Sequence, residues 1–414
     1  MERVVITGMG VVSPLGNTVD ELWGNMLQGK SGISTIDGFN TDRFKTKIAG
    51  VVRDFDADAR FGKKEARRMD RFCQFALAAA EQALNDSGLE LEAMDRDRIG
   101  VYVGSGIGGL GTLLDQADTL RDRGPERVSP MLVPMMISNM AAAMISIKYG
   151  LTGPTMSPVT ACSIGNTAIG EAWRLIRSGG ADAVIAGGAE AAISEISVAS
   201  FGNATALSTR NDDPARASRP FDAERDGFVM SEGAGILVLE SLSSAKRRGA
   251  VVHAEVIGYG ASSDAYHIVA THPEGAGAYH AMRLALHEAR IHPSDVDVIS
   301  AHATSTELGD KSETLAIKRL FGKDAYRIPV TANKSMLGHM LGAAGGVEAI
   351  ALAKSLQEGV IPPTINLEEQ DPACDLDYVP NKAREARLDI GISSSFGFGG
   401  HNAVIVLRAC RELV

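Results

Sequence analysis

One cysteine, Cys162, lies where the sequence predicts a tight turn between a buried strand and a helix. The short, partly apolar run Thr155–Ala161 predicts the strand, and apolar residues at helical spacing from Ile164 onward predict the helix. Unpaired backbone N–H groups and the helix dipole favour an anion at such a position. We therefore expect the pKa of this thiol to be lowered and its thiolate to be available to attack carbon. A buried structural cysteine is the competing interpretation.

Two histidines and a lysine are predicted at similar turns further along the chain. His302 follows a buried-type strand, and Lys334 and His339 are predicted to begin a Gly/Ala-rich helix. One thiol, two imidazoles and an ammonium fit acyl transfer, because the imidazoles can polarise a thioester carbonyl and stabilise an enolate. Helix capping or core packing is the alternative for either histidine alone. A metal site from the two histidines and Asp310 matches no standard spacing.

Two other stretches carry groups that can bind or orient a substrate. Asp310 and Glu313 lie three residues apart, on one face of a predicted helix. Glycines in Ser393–Asn402 permit positive φ, so that backbone N–H groups can point inward. The run Gly104–Gly109 formally matches a dinucleotide-binding fingerprint, but no strand ending in an acidic residue follows at the required distance, which argues against nucleotide binding.

Composition limits the classes of protein that this chain can be. It has 414 residues, 45% hydrophobic and 22% charged, as expected for a globular protein with a large core or two fused domains. A net charge of −10 argues against nucleic acid as the main partner. The four cysteines lack metal-ligand spacing and fit a reducing cytosol, so a cytoplasmic location is expected. The N-terminus lacks the basic start and long apolar core of a signal peptide, and the chain has no uninterrupted apolar run of about 18 residues. We therefore expect no transmembrane helix.

The predicted elements recur in the same order in the two halves of the chain. The strand-like run Glu255–Gly260 resembles Val4–Gly10, and Val330–Ser335 resembles Val159–Ser163. This repetition predicts a duplicated α/β unit, with the halves at 1–250 and 251–414. Two unrelated α/β domains remain the weaker alternative. The helix of the first half is predicted to run without interruption over residues 63–87, and residues 36–62 are predicted to be irregular.

Taken together, these motifs resemble those of the β-ketoacyl-[acyl-carrier-protein] synthases, and most closely the elongating enzymes of bacterial type II fatty-acid synthesis. The resemblance extends over essentially the whole chain, with its motifs in order. They are Thr160–Ser163, Gly187–Glu190, Arg219–Asp222, Asp226–Phe228, Glu232–Gly235, His302–Thr306, Gly309–Asp310, Lys334–His339, Pro362–Leu367 and Phe396–Gly400. The resemblance implies a thiolase fold, α/β in class, with five αβαβα layers and two pseudo-repeated halves. It also implies a homodimer that needs no cofactor, since the substrates carry phosphopantetheine on acyl carrier protein.

The resemblance further implies a Cys-His-His site with a defined reaction. Cys162 would take the acyl chain from acyl carrier protein, and His302 and His339 would assist decarboxylation of malonyl carrier protein. The resulting carbanion would attack the acyl thioester and give a 3-oxoacyl product two carbons longer. The remaining implied roles are an oxyanion hole (Cys162 and Phe398), a charge network (Lys334, Asp310, Glu313, Glu348), a gate (Phe396, Phe398), pantetheine contacts (Thr304, Thr306) and an acyl pocket (Ile107, Phe201 and, from the partner subunit, Val133).

A basic cluster is the predicted docking surface for the acidic carrier protein. Lys63, Lys64, Arg67 and Arg68 lie close together in sequence, and such a patch can steer an acidic partner. A solvated helix face is the alternative. The sequence departs from the family at Ile164, which is larger than usual, and at Ala303, which replaces a common glycine; both bear on chain-length preference.

Three rival functions share parts of this pattern. A polyketide ketosynthase and a type I elongating synthase have the same catalytic triad, although the short, free-standing chain favours fatty-acid synthesis. A non-catalytic subunit resembling a chain-length factor would keep the fold as a binding protein. Such subunits lack the nucleophilic cysteine, so Cys162 together with both histidines argues against that reading.

Overall fold

The computed structural model describes residues 1–411, which form fourteen strands and fourteen α-helices. The strands are β1 Val4–Val12, β2 Ser34–Thr35, β3 Ile48–Ala49, β4 Ile99–Gly104, β5 Thr155–Met156, β6 Ala183–Glu190, β7 Gly233–Ser241, β8 Ala254–Ser263, β9 Val298–Ser300, β10 Val330–Thr331, β11 Val360–Ile361, β12 Arg384–Glu385, β13 Ile390–Gly397 and β14 His401–Arg408. The helices are α1 Val19–Leu27, α2 Ala57–Phe61, α3 Lys63–Ala66, α4 Arg71–Ser87, α5 Leu110–Arg123, α6 Leu132–Met136, α7 Met140–Tyr149, α8 Ile164–Arg177, α9 Glu195–Asn203, α10 Leu242–Arg248, α11 Ala276–Ala289, α12 Glu307–Phe321, α13 Lys334–Leu337 and α14 Ala344–Glu358.

Ten strands form one continuous sheet in the order β10-β9-β13-β14-β8-β1-β7-β6-β4-β5. The two halves meet where β1 pairs with β8, and there only Val4–Ile6 is paired, antiparallel to residues 254–256. On either side of that junction the five strands follow the same order and directions: the inner pairs are antiparallel, and the two outer pairs are parallel. Along the chain, the strands of the first set end with β7 and those of the second set begin with β8.

The helices complete five layers, as the thiolase-like resemblance implies. α4 packs on β1 and β7 outside the first half, and α11 packs on β8 and β14 outside the second. α8 and α14 lie between the two halves and contact strands of both. They cross closely because both begin with small residues: a Cβ on Gly165 would lie 2.3 Å from the backbone nitrogen of Gly346. The nucleophile-bearing helix α8 is therefore a central element of the core.

Three local predictions are wrong. The helix predicted over residues 63–87 breaks into α3 and α4, because Asp70 caps α4 by accepting from the N–H of Phe72 and also accepts from the hydroxyl of Thr112. The buried strand predicted at residues 155–161 consists only of the two-residue β5, which lies exposed at the end of the sheet. The region predicted to be irregular contains α2, which Asp56 caps. No helix within residues 1–411 is long and apolar enough to cross a bilayer.

Candidate active site

Cys162 lies in a single 3-10 turn, residues 161–163, that leads directly into α8. Ala161 begins this turn with φ of +50°, a left-handed conformation that is costly for a residue with a Cβ. The hydroxyl of Ser163 donates to the carbonyl oxygen of Thr160 at 2.7 Å and closes the turn. The turn thus holds a cysteine, only 9% exposed, on the wall of an internal cavity.

The expected lowering of the Cys162 pKa is wrong in direction. Burial raises the pKa of the thiol to about 12, and this outweighs the opposing effects of the Lys334 charge and of backbone N–H groups near the sulfur. Those N–H groups belong to Phe398 and to Cys162 itself. The effect of burial on the thiol pKa is therefore larger than the opposing effect of the helix start, and the resting sulfur is neutral.

A glycine brings the end of β13 against the nucleophile turn. A Cβ on Gly397 would lie 2.7 Å from the carbonyl oxygen of Thr160 and 3.0 Å from the nitrogen of Cys162. This close approach places the N–H of Phe398 beside the N–H of Cys162, the two donors assigned to the oxyanion hole. Two fixed N–H donors converging beside a thiol are suited to hold a negative oxygen on a substrate carbonyl.

The two histidines predicted for the site lie together in the same cavity. The rings of His302 and His339 are perpendicular, with centroids 5.4 Å apart, and both residues are buried. Nδ1 of each ring is buried and accepts or donates no hydrogen bond among residues 1–411. Burial and the nearby charge of Lys334 hold the pKa of both imidazoles well below the ordinary value, so both rings are neutral near pH 7.

A buried carboxylate fixes the backbone at His302. Glu313, on α12, accepts hydrogen bonds from the N–H groups of His302 and Ala303, each at 2.8 Å. Ala303 adopts φ of +30°, so the alanine that replaces the family's glycine lies at a position that favours glycine. Burial raises the pKa of Glu313 to about 7.

The predicted charge network divides into two parts. Lys334 is 1% exposed and pairs with Glu348 from α14. Asp310 instead lies 3.4 Å from the guanidinium of Arg225 and accepts from two backbone N–H groups; burial raises its pKa to about 6. Lys334 begins only the four-residue α13, and the Gly/Ala-rich helix that it was predicted to begin starts at Ala344, after His339.

Most of the other predicted residues line one cavity of about 280 Å³. It is bounded by Ile107, Cys162, Phe201, His302, Thr304, Thr306, Glu313, His339, Phe396 and Phe398. The hydroxyl oxygens of Thr304 and Thr306 are 3.1 Å apart, and the ring centroids of Phe201 and Phe398 are 6.2 Å apart. Val133 lies outside this cavity on α6, 57% exposed. The basic residues Lys63, Lys64, Arg67 and Arg68 are exposed around α3.

A buried acidic residue of the cavity is among those to which the sequence analysis assigned no role. Glu190, the last residue of β6, is fully buried and accepts from the hydroxyl of Ser105 and the N–H groups of Gly106 and Ile107. These N–H groups belong to the loop that matched the dinucleotide fingerprint, so they are already used within the protein. An acidic residue ending an otherwise apolar strand was the available sequence signal.

Comparison with known proteins identifies the family. The model for the N-terminal domain of β-ketoacyl synthases matches residues 1–245, and the model for the C-terminal domain matches residues 253–368. Proteins named 3-oxoacyl-[acyl-carrier-protein] synthase 2 from Synechocystis and from Staphylococcus aureus are each 50% identical to this chain over 98% of both sequences.

Solved structures show the same architecture. A β-ketoacyl synthase from Burkholderia phymatum, 37% identical, superposes with a TM-score of 0.92 over 99% of this chain and 100% of its own. A ketosynthase solved in complex with a type II polyketide acyl-carrier protein gives the same TM-score, identity and coverage.

Proposed function

The chain belongs to the β-ketoacyl synthase family, and we propose that it acts as a 3-oxoacyl-[acyl-carrier-protein] synthase 2, the condensing enzyme that elongates acyl chains in bacterial type II fatty-acid synthesis. The observation that carries the proposal is the convergence of one thiol, two neutral imidazoles and two backbone N–H donors on one cavity. No single half of the chain supplies this set: the thiol comes from the first half and the imidazoles from the second.

In the first step, Cys162 takes the acyl group from the carrier protein. Its sulfur attacks the thioester carbonyl, and the N–H groups of Cys162 and Phe398 hold the oxygen that becomes negative. Collapse of this intermediate forms the acyl-cysteine and expels the carrier thiolate, which receives the proton of the Cys162 thiol. The raised pKa of that thiol makes its deprotonation costly, so the N–H pair and the charge of Lys334 matter most here.

In the second step, a malonyl thioester enters the emptied carrier site. Loss of carbon dioxide leaves an enolate, and the neutral rings of His302 and His339 stabilise its oxygen by donated hydrogen bonds. The enolate carbon attacks the acyl-cysteine, whose oxygen occupies the same pair of N–H donors. Expulsion of the Cys162 thiolate, which then regains a proton, releases a 3-oxoacyl thioester longer by two carbons.

The placement of the remaining residues supports their roles in holding the substrate. Thr304 and Thr306 lie in the cavity at the side of the His302 loop, where paired hydroxyls suit the amides of a phosphopantetheine arm. Ile107 and Phe201 bound the cavity elsewhere and offer an apolar wall for an acyl chain. Phe398, 38% exposed, stands beside Phe201 as the gate.

A second copy of this chain is the partner proposed at the end of the sheet. β5 is an exposed edge strand, and Val133, Ile137 and Val159 are exposed apolar side chains of the neighbouring segments. An unpaired edge flanked by apolar residues is suited to pair with a copy of itself. The family resemblance implies that, in such a dimer, Val133 reaches the pocket of the other subunit. Light scattering tests this, since Val159→Glu is expected to give monomers.

The decisive experiment incubates the protein with acyl carrier proteins of graded chain length and malonyl carrier protein, with products identified by mass. We expect acyl-Cys162 and then products with two more carbons. An intact acyl-cysteine with no extended product at any length would refute condensation. Extension repeated over several rounds without reduction of the keto groups would assign the chain to polyketide synthesis instead.

A further inference from the structure

The turn that precedes α14 repeats the backbone of the nucleophile turn. Both are single 3-10 turns that lead into a central helix, and both begin with a non-glycine residue in the left-handed region: Ala161 with φ of +50° and Leu341 with φ of +49°. Gly342 is the middle residue of the second turn, as Cys162 is of the first. The second half therefore contains a turn able to present an N–H group to an anion, but without a nucleophile.

In this second turn the anion position is already filled. The N–H of Gly342 donates to Oε2 of Glu190 at 3.1 Å. The same oxygen accepts from Gly106 at 2.9 Å, while Oε1 accepts from the hydroxyl of Ser105 at 2.7 Å and from the N–H of Ile107 at 3.1 Å. One carboxylate therefore joins the loop after β4 to the turn after His339.

The four neighbours of Glu190 favour its ionised form. Burial raises the pKa of Glu190, the four donated hydrogen bonds oppose that rise, and of these partners only the hydroxyl of Ser105 could accept the hydrogen of a protonated acid. After burial, the largest influences on Glu190 are these four hydrogen bonds, and none of them comes from a cation. Three N–H groups and one hydroxyl thus replace a counter-ion, as they do for a bound oxyanion.

We propose that Glu190 is a positioning and specificity-determining residue: its carboxylate permanently fills the anion-binding turn of the second half and so fixes Ile107 as the wall of the acyl pocket. Ile107 lines the cavity next to Gly106, and both backbone nitrogens are held by Glu190. Loss of these bonds would free the loop to move and change which chain lengths fit. The inference rests on the proposed function only in taking the occupant of this pocket to be an acyl chain.

The charge of Glu190 provides a second effect that does not depend on condensation. Glu190 and Cys162 line the same cavity, and the negative carboxylate acts to raise the pKa of the thiol. Removing the charge should therefore shift the pH dependence of thiol alkylation to lower pH. A residue that merely stabilised the fold would leave this profile unchanged.

The test compares Glu190→Gln with wild type. Glutamine has nearly the same shape, but its NH₂ group must face N–H donors, so the loop is expected to be released. We expect the ratio of kcat/KM for long and short acyl carrier substrates to change about tenfold, the discrimination typical of a pocket that gains or loses the space of one methylene. Iodoacetamide should alkylate Cys162 faster than in wild type at each pH from 7 to 9.

Glu240→Gln is the matched control, because Glu240 is also a fully buried carboxylate but pairs with Arg248 and does not line the cavity. It should lower the melting temperature and leave the chain-length ratio and alkylation profile unchanged. If Glu190→Gln does not fold, Ser105→Ala removes one donor and should shift the chain-length ratio in the same direction by less.

An unchanged chain-length ratio in folded Glu190→Gln would overturn the proposal, and so would an unchanged ratio in Ser105→Ala if only that variant folds. Failure of the proposed function is a separate outcome: wild type would then show no condensation with any substrate, while the alkylation profile would still report the charge at Glu190.

Discussion

The turns before α8 and α14 share one backbone path and differ in what reaches them. At the first turn, the residue that ends β13 is Gly397, which lies against Cys162. Because this residue has no side chain, no protein group takes the place of a substrate oxygen there. At the second turn, the residue that ends β6 is Glu190, and its carboxylate occupies the equivalent position by accepting from the N–H of Gly342. The comparison shows that a duplicated backbone supplies two anion-binding turns, and that one residue at the end of each facing strand decides whether the turn is open.

The largest effect should follow from moving the thiol between the turns. Cys162→Ser should lower the rate of condensation by roughly 10⁶-fold, the scale for loss of a nucleophile. Gly342→Cys added to that variant should restore nothing, because a Cβ at Gly342 would lie 2.8 Å from Glu190. Intact mass after incubation with acyl carrier protein measures acylation. An acyl adduct on residue 342 would show that the second turn is open.

A methyl group at the open turn should have the next largest effect. Gly397→Ala must push β13 away from Thr160 and Cys162, and so displace the N–H of Phe398 from the oxyanion position. We expect kcat for acyl transfer to Cys162 to fall about 10²- to 10³-fold, as for loss of one oxyanion donor. Rapid-quench measurement of acyl-enzyme formation tests this. A loss confined to KM would contradict the assignment of the oxyanion hole.

The charge of Lys334 should set the acid limit of activity. Because the Lys334 charge and burial together keep the pKa of His302 and His339 well below 6.5, wild-type decarboxylation should persist at pH values where an ordinary histidine is protonated. Lys334→Met combined with Glu348→Gln removes the charge without leaving a buried ion unpaired. Its acid limb should move to higher pH, with activity falling about tenfold per pH unit below the new pKa.

The control for that double variant is Glu348→Gln alone, which retains the lysine charge. Release of carbon dioxide from malonyl carrier protein is the measurement. An acid limb that stays in place when the charge is removed would show that burial alone depresses the imidazole pKa values.

A methyl group at the closed turn should affect stability more than chemistry. Gly342→Ala would place its Cβ 2.8 Å from Glu190 and 3.1 Å from the nitrogen of Gly106. Such overpacking costs about 1–3 kcal/mol of unfolding free energy. Denaturant unfolding measures the loss, and acylation of Cys162 in the same sample is expected to stay within about tenfold of wild type. Equal rate losses for Gly342→Ala and Gly397→Ala would remove the distinction between the turns.

The smallest effect is expected far from both turns, at the basic patch. Arg67→Glu with Arg68→Glu should raise KM for carrier-bound substrate about tenfold and leave KM for a pantetheine mimic unchanged, because only the carrier protein is acidic. The effect should weaken at high salt. Lys323→Glu, another exposed charge, is the control. Equal effects on both substrates would count against docking at this patch.

Local sequence patterns were sufficient where neighbours in the chain decide the structure. The apolar stripe of α4, the turn before α8 and the repeated order of elements all follow from spacing and from glycine, and the resemblance to condensing enzymes extended this to five layers. The predictions failed where a distant residue decides the outcome. The predicted long helix is interrupted and restarts at Asp70 partly because Thr112, 42 positions away, also donates to that carboxylate.

The sequence by itself determined which chemical groups the site uses, one thiol, two imidazoles and an ammonium, and which turns present them. Only the tertiary structure decided their protonation, because the pKa of Cys162 rises and those of His302 and His339 fall through burial that no local pattern reports. It also decided which turn is open. The bond between Glu190 and Gly342 joins residues 152 positions apart, and contacts of that kind exist only once both halves have packed together.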